Sequence, residues 1–145
     1  MHTLTVPAQP SSLAAVSAFV LAVAHESDLG PPLDYRLRLV VDEMVGNIIT
    51  HGYRDIPPDS RSPVQICAEC DSEHVTVTIR DGGVPYDVTR TSPPTNLQIA
   101  PQAREPGGLG VYLVMHYVDE LHFERVDGQN INRLTLRRLT TRRDG

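Results

Sequence analysis

The spacing of apolar residues changes period partway along the chain, and that change limits the folds open to it. Leu37, Val40, Val41, Met44 and Ile48 recur every three or four positions, the repeat of one face of a helix. Further on, Val64, Ile66, Ala68 and Cys70 alternate with other residues, and Val75, Val77 and Ile79 alternate with Thr76, Thr78 and Arg80. Alternation of that kind marks half-buried strands. The switch falls across a proline- and aspartate-rich loop from Arg54 to Ser62, and Asp71-Ser72-Glu73 predicts the turn of a hairpin. An apolar helix face followed by an apolar sheet face needs two layers, one covering the other.

The remaining elements fit that frame. Thr3 to Val6 predicts a short first strand, and Pro10-Ser11-Ser12 offers a hydroxyl to accept from the free N–H groups of a helix running from about Leu13 to Ser27. Leu29-Gly30-Pro31-Pro32 breaks that helix, and a second runs from about Asp34 to Thr50, with Gly52 as its C-terminal residue. The stretch from Val88 to Pro106 holds four prolines and no periodicity, and reads as a mobile functional loop. A third helix opens at Gly107-Gly108-Leu109-Gly110 and ends near Tyr117; two strands, Leu121 to Val126 and Asn132 to Leu139, flank a turn at Asp127-Gly128. The expected fold is α+β, a two-layer sandwich with helices on one face of a mainly antiparallel sheet.

Composition narrows the function. The 145 residues, 40% of them hydrophobic, suffice for one domain with one core, expected to span residues 1–145. A net charge of −5 argues against binding nucleic acid through bulk electrostatics, and Arg137, Arg138, Arg142 and Arg143 read as a solvated terminal strand and tail. No apolar run approaches the ~20 residues of a membrane helix. Met1-His2-Thr3-Leu4 lacks the basic-then-apolar pattern of a signal peptide, so no membrane association and a cytoplasmic location are expected. Cys67 and Cys70, three apart on a strand, point to opposite faces and read as ordinary strand cysteines rather than a redox or zinc pair.

Three groups of residues are suited to chemistry. Glu43 and Asn47 lie one helical turn, ~6 Å, apart on a polar stripe that also holds Thr50. Asn47 supplies a neutral oxygen of the kind magnesium accepts beside phosphate and water, and Glu43 is placed to orient or deprotonate a water or hydroxyl. Alone, that spacing is also common on solvated helix faces. Asp81 continues the inward phase of Val75, Val77 and Ile79, which is costly for an acid unless it meets a specific donor. A carboxylate there suits the exocyclic amine of adenine, and Gly83 would let backbone approach a flat ring, although D-G-G is also ordinary turn chemistry. Gly107-Gly108-Leu109-Gly110 puts glycines at a helix start, where free N–H groups favour an anion. No Walker motif is present, the histidines have no metal-ligand spacing, and no Ser-His-Asp set stands out.

Taken in order, these segments resemble the GHKL ATPase superfamily, and within it the bacterial anti-sigma-factor serine kinases. Glu43, Asn47 and His51-Gly52-Tyr53 match the first box of that family; Asp81, Gly83, Pro85, Tyr86 and Asp87 match the second. Gly107-Gly108-Leu109-Gly110, followed by Val118-Asp119-Glu120, matches the last. The likeness runs from about residue 8 to 140. It implies the Bergerat ATP-binding fold, with ATP and Mg2+ as cofactors.

The resemblance also implies roles. Glu43 is the general base, Asn47 the magnesium ligand, and Asp81 the adenine acceptor with Gly83 beneath the ring; Tyr86 also binds the cofactor. Gly108, Leu109 and Gly110 meet the phosphates, residues 88–106 form the lid, and Arg104 reaches the terminal phosphate. A lid without lysine departs from the family pattern. The implied partners are a STAS-type anti-sigma-factor antagonist, whose serine receives the phosphate, a sigma factor, and a second copy of the chain as a homodimer. Two other readings share these motifs: a non-catalytic ATP-binding regulatory module and a detached histidine-kinase ATPase domain.

Overall fold

The computed structural model describes residues 1–87 and 108–138. Five strands form a single sheet: β1 (His2–Val6), β2 (Val64–Cys70), β3 (His74–Asp81), β4 (Glu120–Val126) and β5 (Gln129–Arg137). Their order is β1-β2-β3-β5-β4, and all four pairings are antiparallel. The helices are α1 (Leu13–Glu26), α2 (Leu33–Asn47) and α3 (Gly108–Tyr117). This is the expected α+β sandwich.

The core lies between the sheet and the helices. Val16, Val20 and Val23 of α1 and Leu37, Val40, Val41 and Met44 of α2 meet Val64, Ile66, Val75, Val77, Ile79, Leu134 and Leu136 from the sheet. These positions follow the two periods read from the sequence. The opposite sheet face carries Thr3, Gln65, Cys67, Thr76 and Thr78. Cys67 accepts a weak hydrogen bond there from Thr3 Oγ1 at 3.7 Å, whereas Cys70 packs against the core, so the two cysteines do point apart.

Four expected boundaries are corrected. Ser12 does not accept from the start of α1; its hydroxyl donates to the Pro7 carbonyl at 2.7 Å, and a 3-10 turn over Pro10–Ser12 precedes the helix. The α-helical part of α2 stops at Asn47, and Ile48–Gly52 widen into a π-helical turn, with Thr50 exposed. Gly52 closes that turn without a left-handed conformation; the positive-φ glycines among the described residues are Gly30 and Gly128. β5 begins at Gln129 rather than Asn132, because Asp127 and Gly128, both at positive φ, make a two-residue turn that pairs Val126 directly with Gln129. The lid expected over residues 88–106, Arg104 within it, and Leu139 at the end of the last strand lie outside the described residues.

Candidate functional site

The end of α2 brings the first pair together. Asn47 is 6% exposed and its Nδ2 donates to the Glu43 carbonyl at 2.9 Å. A carbonyl can only accept, so this bond fixes the amide orientation and turns Asn47 Oδ1 away from the helix backbone. The first turn of α3 lies against the same two side chains. A Cβ on Gly110 would run into Glu43 Oε2 and come within 3.5 Å of Asn47 Nδ2. Glycine at that position is what allows the N-terminus of α3, where backbone N–H groups lack helical partners, to approach the acid and the amide. Gly108 and Leu109 belong to that first turn.

Beyond Asn47 the π-helical turn carries His51-Gly52-Tyr53 onto the segment after β3. The Gly52 carbonyl accepts from Val84 N–H at 2.9 Å, and the Tyr53 hydroxyl accepts from Gly82 N–H at 2.8 Å. The rings of His51 and Tyr86 lie 5.8 Å apart, and Arg54 donates to His51 Nδ1 at 2.9 Å. A guanidinium has no acceptor, so Nδ1 of His51 holds the lone pair. The approach is close enough to require glycine on the other side: a Cβ on Gly83 would lie 2.6 Å from the Gly52 carbonyl oxygen. Gly83 therefore serves the packing of two backbone segments, a reason that its proposed place beneath a ring did not include.

Asp81 stands at the inner end of β3 and is 1% exposed. Its Oδ1 accepts from Gly83 N–H at 2.9 Å and from Asn130 Nδ2 at 3.0 Å. Its Oδ2 is buried and has no hydrogen-bond partner among the described residues. Burial raises the carboxyl's pKa above its ordinary value; the donors Asn130 and Gly83 and the charge of Arg125 oppose that rise without cancelling it.

Asn130 and Arg125 were missed at the sequence level. Asn130 pairs directly with Asp81 on one side and with Arg125 on the other, so the three form a row across β3, β5 and β4. Asn130 also donates to the Val84 carbonyl at 2.9 Å, and Arg125 donates to the Gly83 carbonyl at 2.9 Å. The signal that found Asp81 was available for Asn130, which is in phase with the buried Leu134 and Leu136. Starting β5 at Asn132 left Asn130 in a turn and hid it. Asn132 itself is 1% exposed, and its buried Oδ1 has no hydrogen-bond partner among the described residues.

The site thus joins the end of α2, the start of α3 and the last residues of β3. Tyr86 is half-buried against the core, and burial raises its hydroxyl pKa. Among the described residues no three His, Cys, Asp or Glu side chains cluster to hold a metal.

This sheet order and this site define a class. The chain belongs to the histidine kinase-like ATPase domain family, whose sequence profile matches residues 6–137. It is similar to the serine/threonine-protein kinase BtrW of Bordetella bronchiseptica, at 30% identity over 103 residues that cover 71% of this chain and 70% of that one. Among solved structures it is similar to a chain of the SiaB–SiaC complex from Pseudomonas aeruginosa. The TM-score is 0.62 at 14% identity, over 94% of this chain and 89% of that chain, a likeness of fold.

The donors and acceptors present fit an adenine nucleotide. Adenine presents one exocyclic amine, and Asp81 Oδ2 is a buried acceptor lacking a donor among the described residues. Gly110, where a Cβ would strike Glu43, lets the first turn of α3 with its free N–H groups lie against Glu43 and Asn47.

Proposed function

We propose that this chain is an ATP-dependent protein serine kinase that works by partner switching: it phosphorylates a serine of a STAS-type antagonist and, when free of it, holds a sigma factor. One observation carries the reading. A strand-end carboxylate is buried with one oxygen satisfied and the other without a partner among the described residues, in the same site where Gly110 brings a helix start against Glu43 and Asn47. A buried acceptor without a donor costs on the order of 1–3 kcal/mol, so a ligand donor is the natural complement.

We assign to these residues the roles that the family resemblance implies. Asp81 Oδ2 takes a hydrogen bond from the adenine amine. Gly108, Leu109 and Gly110 offer backbone N–H groups to the phosphates, and Asn47 Oδ1 holds Mg2+, which neutralises phosphate charge when bound. Glu43 takes the proton of the acceptor serine's hydroxyl as that oxygen bonds to the γ-phosphorus; the bond to the β–γ bridging oxygen breaks, and ADP leaves. The product gains about −1.5 to −2 charge, enough to expel the modified partner. Arg104 is assigned to the terminal phosphate, and the working form to a homodimer made of single-domain chains. Among the described residues no helix is long and apolar enough to cross a membrane, and we place the protein in the cytoplasm.

Glu43→Ala tests the catalytic assignment. With labelled ATP and the antagonist, phosphoserine formation is expected to fall about 10²–10⁴-fold, while ADP affinity stays near that of the wild type. Transfer at the wild-type rate would remove Glu43 as the base. Nucleotide binding with no transfer by the wild type to any such antagonist would favour the non-catalytic module.

A further inference from the structure

The row Asp81–Asn130–Arg125 settles more than the position of a carboxylate. Arg125 Nη1 donates to Asn130 Oδ1 at 3.1 Å as well as to the Gly83 carbonyl. Because a guanidinium only donates, the oxygen of the Asn130 amide must face Arg125 and its nitrogen must face Asp81. Both hydrogens of that nitrogen are then used, one on Asp81 Oδ1 and one on the Val84 carbonyl. With the amide reversed, its oxygen would confront a carboxylate and a carbonyl. Arg125, on the edge strand and exposed, therefore adds the third contact that holds Asn130 in this orientation, beside Asp81 Oδ1 and the Val84 carbonyl, and Asn130 shares Oδ1 of Asp81 with Gly83 N–H.

That occupancy bears on the choice of base. A carboxylate with both oxygens free can accept from two adjacent donors, the N1–H and the exocyclic amine that guanine presents side by side. Adenine presents a single amine beside a bare ring nitrogen. With Oδ1 filled by Asn130 and by Gly83 N–H, Asp81 offers one acceptor, which suits adenine and leaves one of guanine's donors unmatched. An unmatched buried donor is the kind of mismatch that discriminates strongly.

We propose that Arg125 is a specificity-determining positioning residue: by bracing Asn130 from the side opposite Asp81 it helps to keep Asp81 a one-oxygen acceptor and so favours adenine over guanine nucleotides. This rests on the nucleotide reading given above. The residue touches no ligand itself and acts through Asn130.

The test is titration of the full chain with ADP and with GDP, each with magnesium, for wild type, Arg125→Ala, Arg125→Lys and Asn130→Ala, repeated from pH 5 to 8. Wild type is expected to bind ADP and to discriminate against GDP. Arg125→Ala and Asn130→Ala are expected to lower the ADP-to-GDP affinity ratio by about tenfold or more, the size of one charge-assisted hydrogen bond. Arg125→Lys, which keeps a donating cation, keeps the wild-type preference. The pH above which ADP binds should also move upward in the two alanine variants, because Asp81 loses donors and charge that hold its pKa down. A merely structural role, loosening the loop at Gly83 and Val84, would weaken ADP and GDP alike. An unchanged ratio and pH profile in folded Arg125→Ala and Asn130→Ala, with wild type binding ADP, would overturn this inference alone. Wild type that binds neither nucleotide would overturn the nucleotide reading and this inference with it.

Discussion

The two ends of one sheet face use burial in opposite ways. At one end, Val77 pairs with Leu134, and Leu134 with Leu121; next to them Val75 pairs with Leu136. Leu134, Leu136, Val75 and Val77 are each at most 1% exposed, and their packing against the helices drives folding. Two rows along, the same inward phase holds Asp81, Asn130 and Arg125, with Ile79 and Asn132 in between. There burial works against the fold, since it raises the pKa of one acid and leaves acceptors on Asp81 and Asn132 without partners among the described residues. The apolar end stabilises the sheet that holds the polar end in place, and the polar end keeps acceptors without partners among the described residues. Alternation along a strand is identical at both ends; residue chemistry alone separates scaffold from site.

Substitutions at each end sharpen or break this contrast. The largest loss of stability is expected for Leu134→Ala, about 2–5 kcal/mol in denaturant unfolding, with ADP affinity unchanged once corrected for the folded fraction. A large affinity change in the folded variant would mean that the two ends are not separable. Gly83→Ala, at the seam between them, should cost less, about 1–3 kcal/mol, because its new methyl must displace the Gly52 backbone carbonyl. It should also abolish ADP binding; full affinity would show that the seam does not shape the pocket.

The smallest effect on the fold is expected for Asp81→Asn, and its sign should be opposite. The folded-state pKa of Asp81 is raised, so the acid's contribution to stability is fully present below its unfolded pKa and lost as pH rises through the folded value. The neutral amide has no such loss. Thermal melts should therefore show the variant gaining on wild type as pH is raised from 4 to 7. A variant that loses ground to wild type over that range would contradict the assigned direction.

Much of the scaffold was legible because burial follows local period: α2, the β2–β3 hairpin and the inward phase of Asp81 could all be read from it. So was the pairing of Glu43 with Asn47, one turn of a helix. What escaped notice depends on contacts between distant segments. Nothing local to β3 says that its second neighbour is β5, so Asn130 and Arg125 could not be placed beside Asp81. The π-helical turn after Asn47 follows the docking of His51-Gly52-Tyr53 onto Val84, Gly82 and Tyr86, partners some 30 residues away. Ser12 differs for a local reason: its hydroxyl donates to the Pro7 carbonyl, just before the helix, instead of accepting from the helix start.

The central claim is that the bare oxygen of Asp81 receives an adenine amine. Calorimetric titration of wild type and Asp81→Asn with ADP and magnesium at neutral pH tests it most directly. Saturable one-site binding by wild type, weakened about 10–100-fold or lost in a variant that melts no lower, is the predicted result. Equal binding by both proteins, or no heat from either, would contradict it.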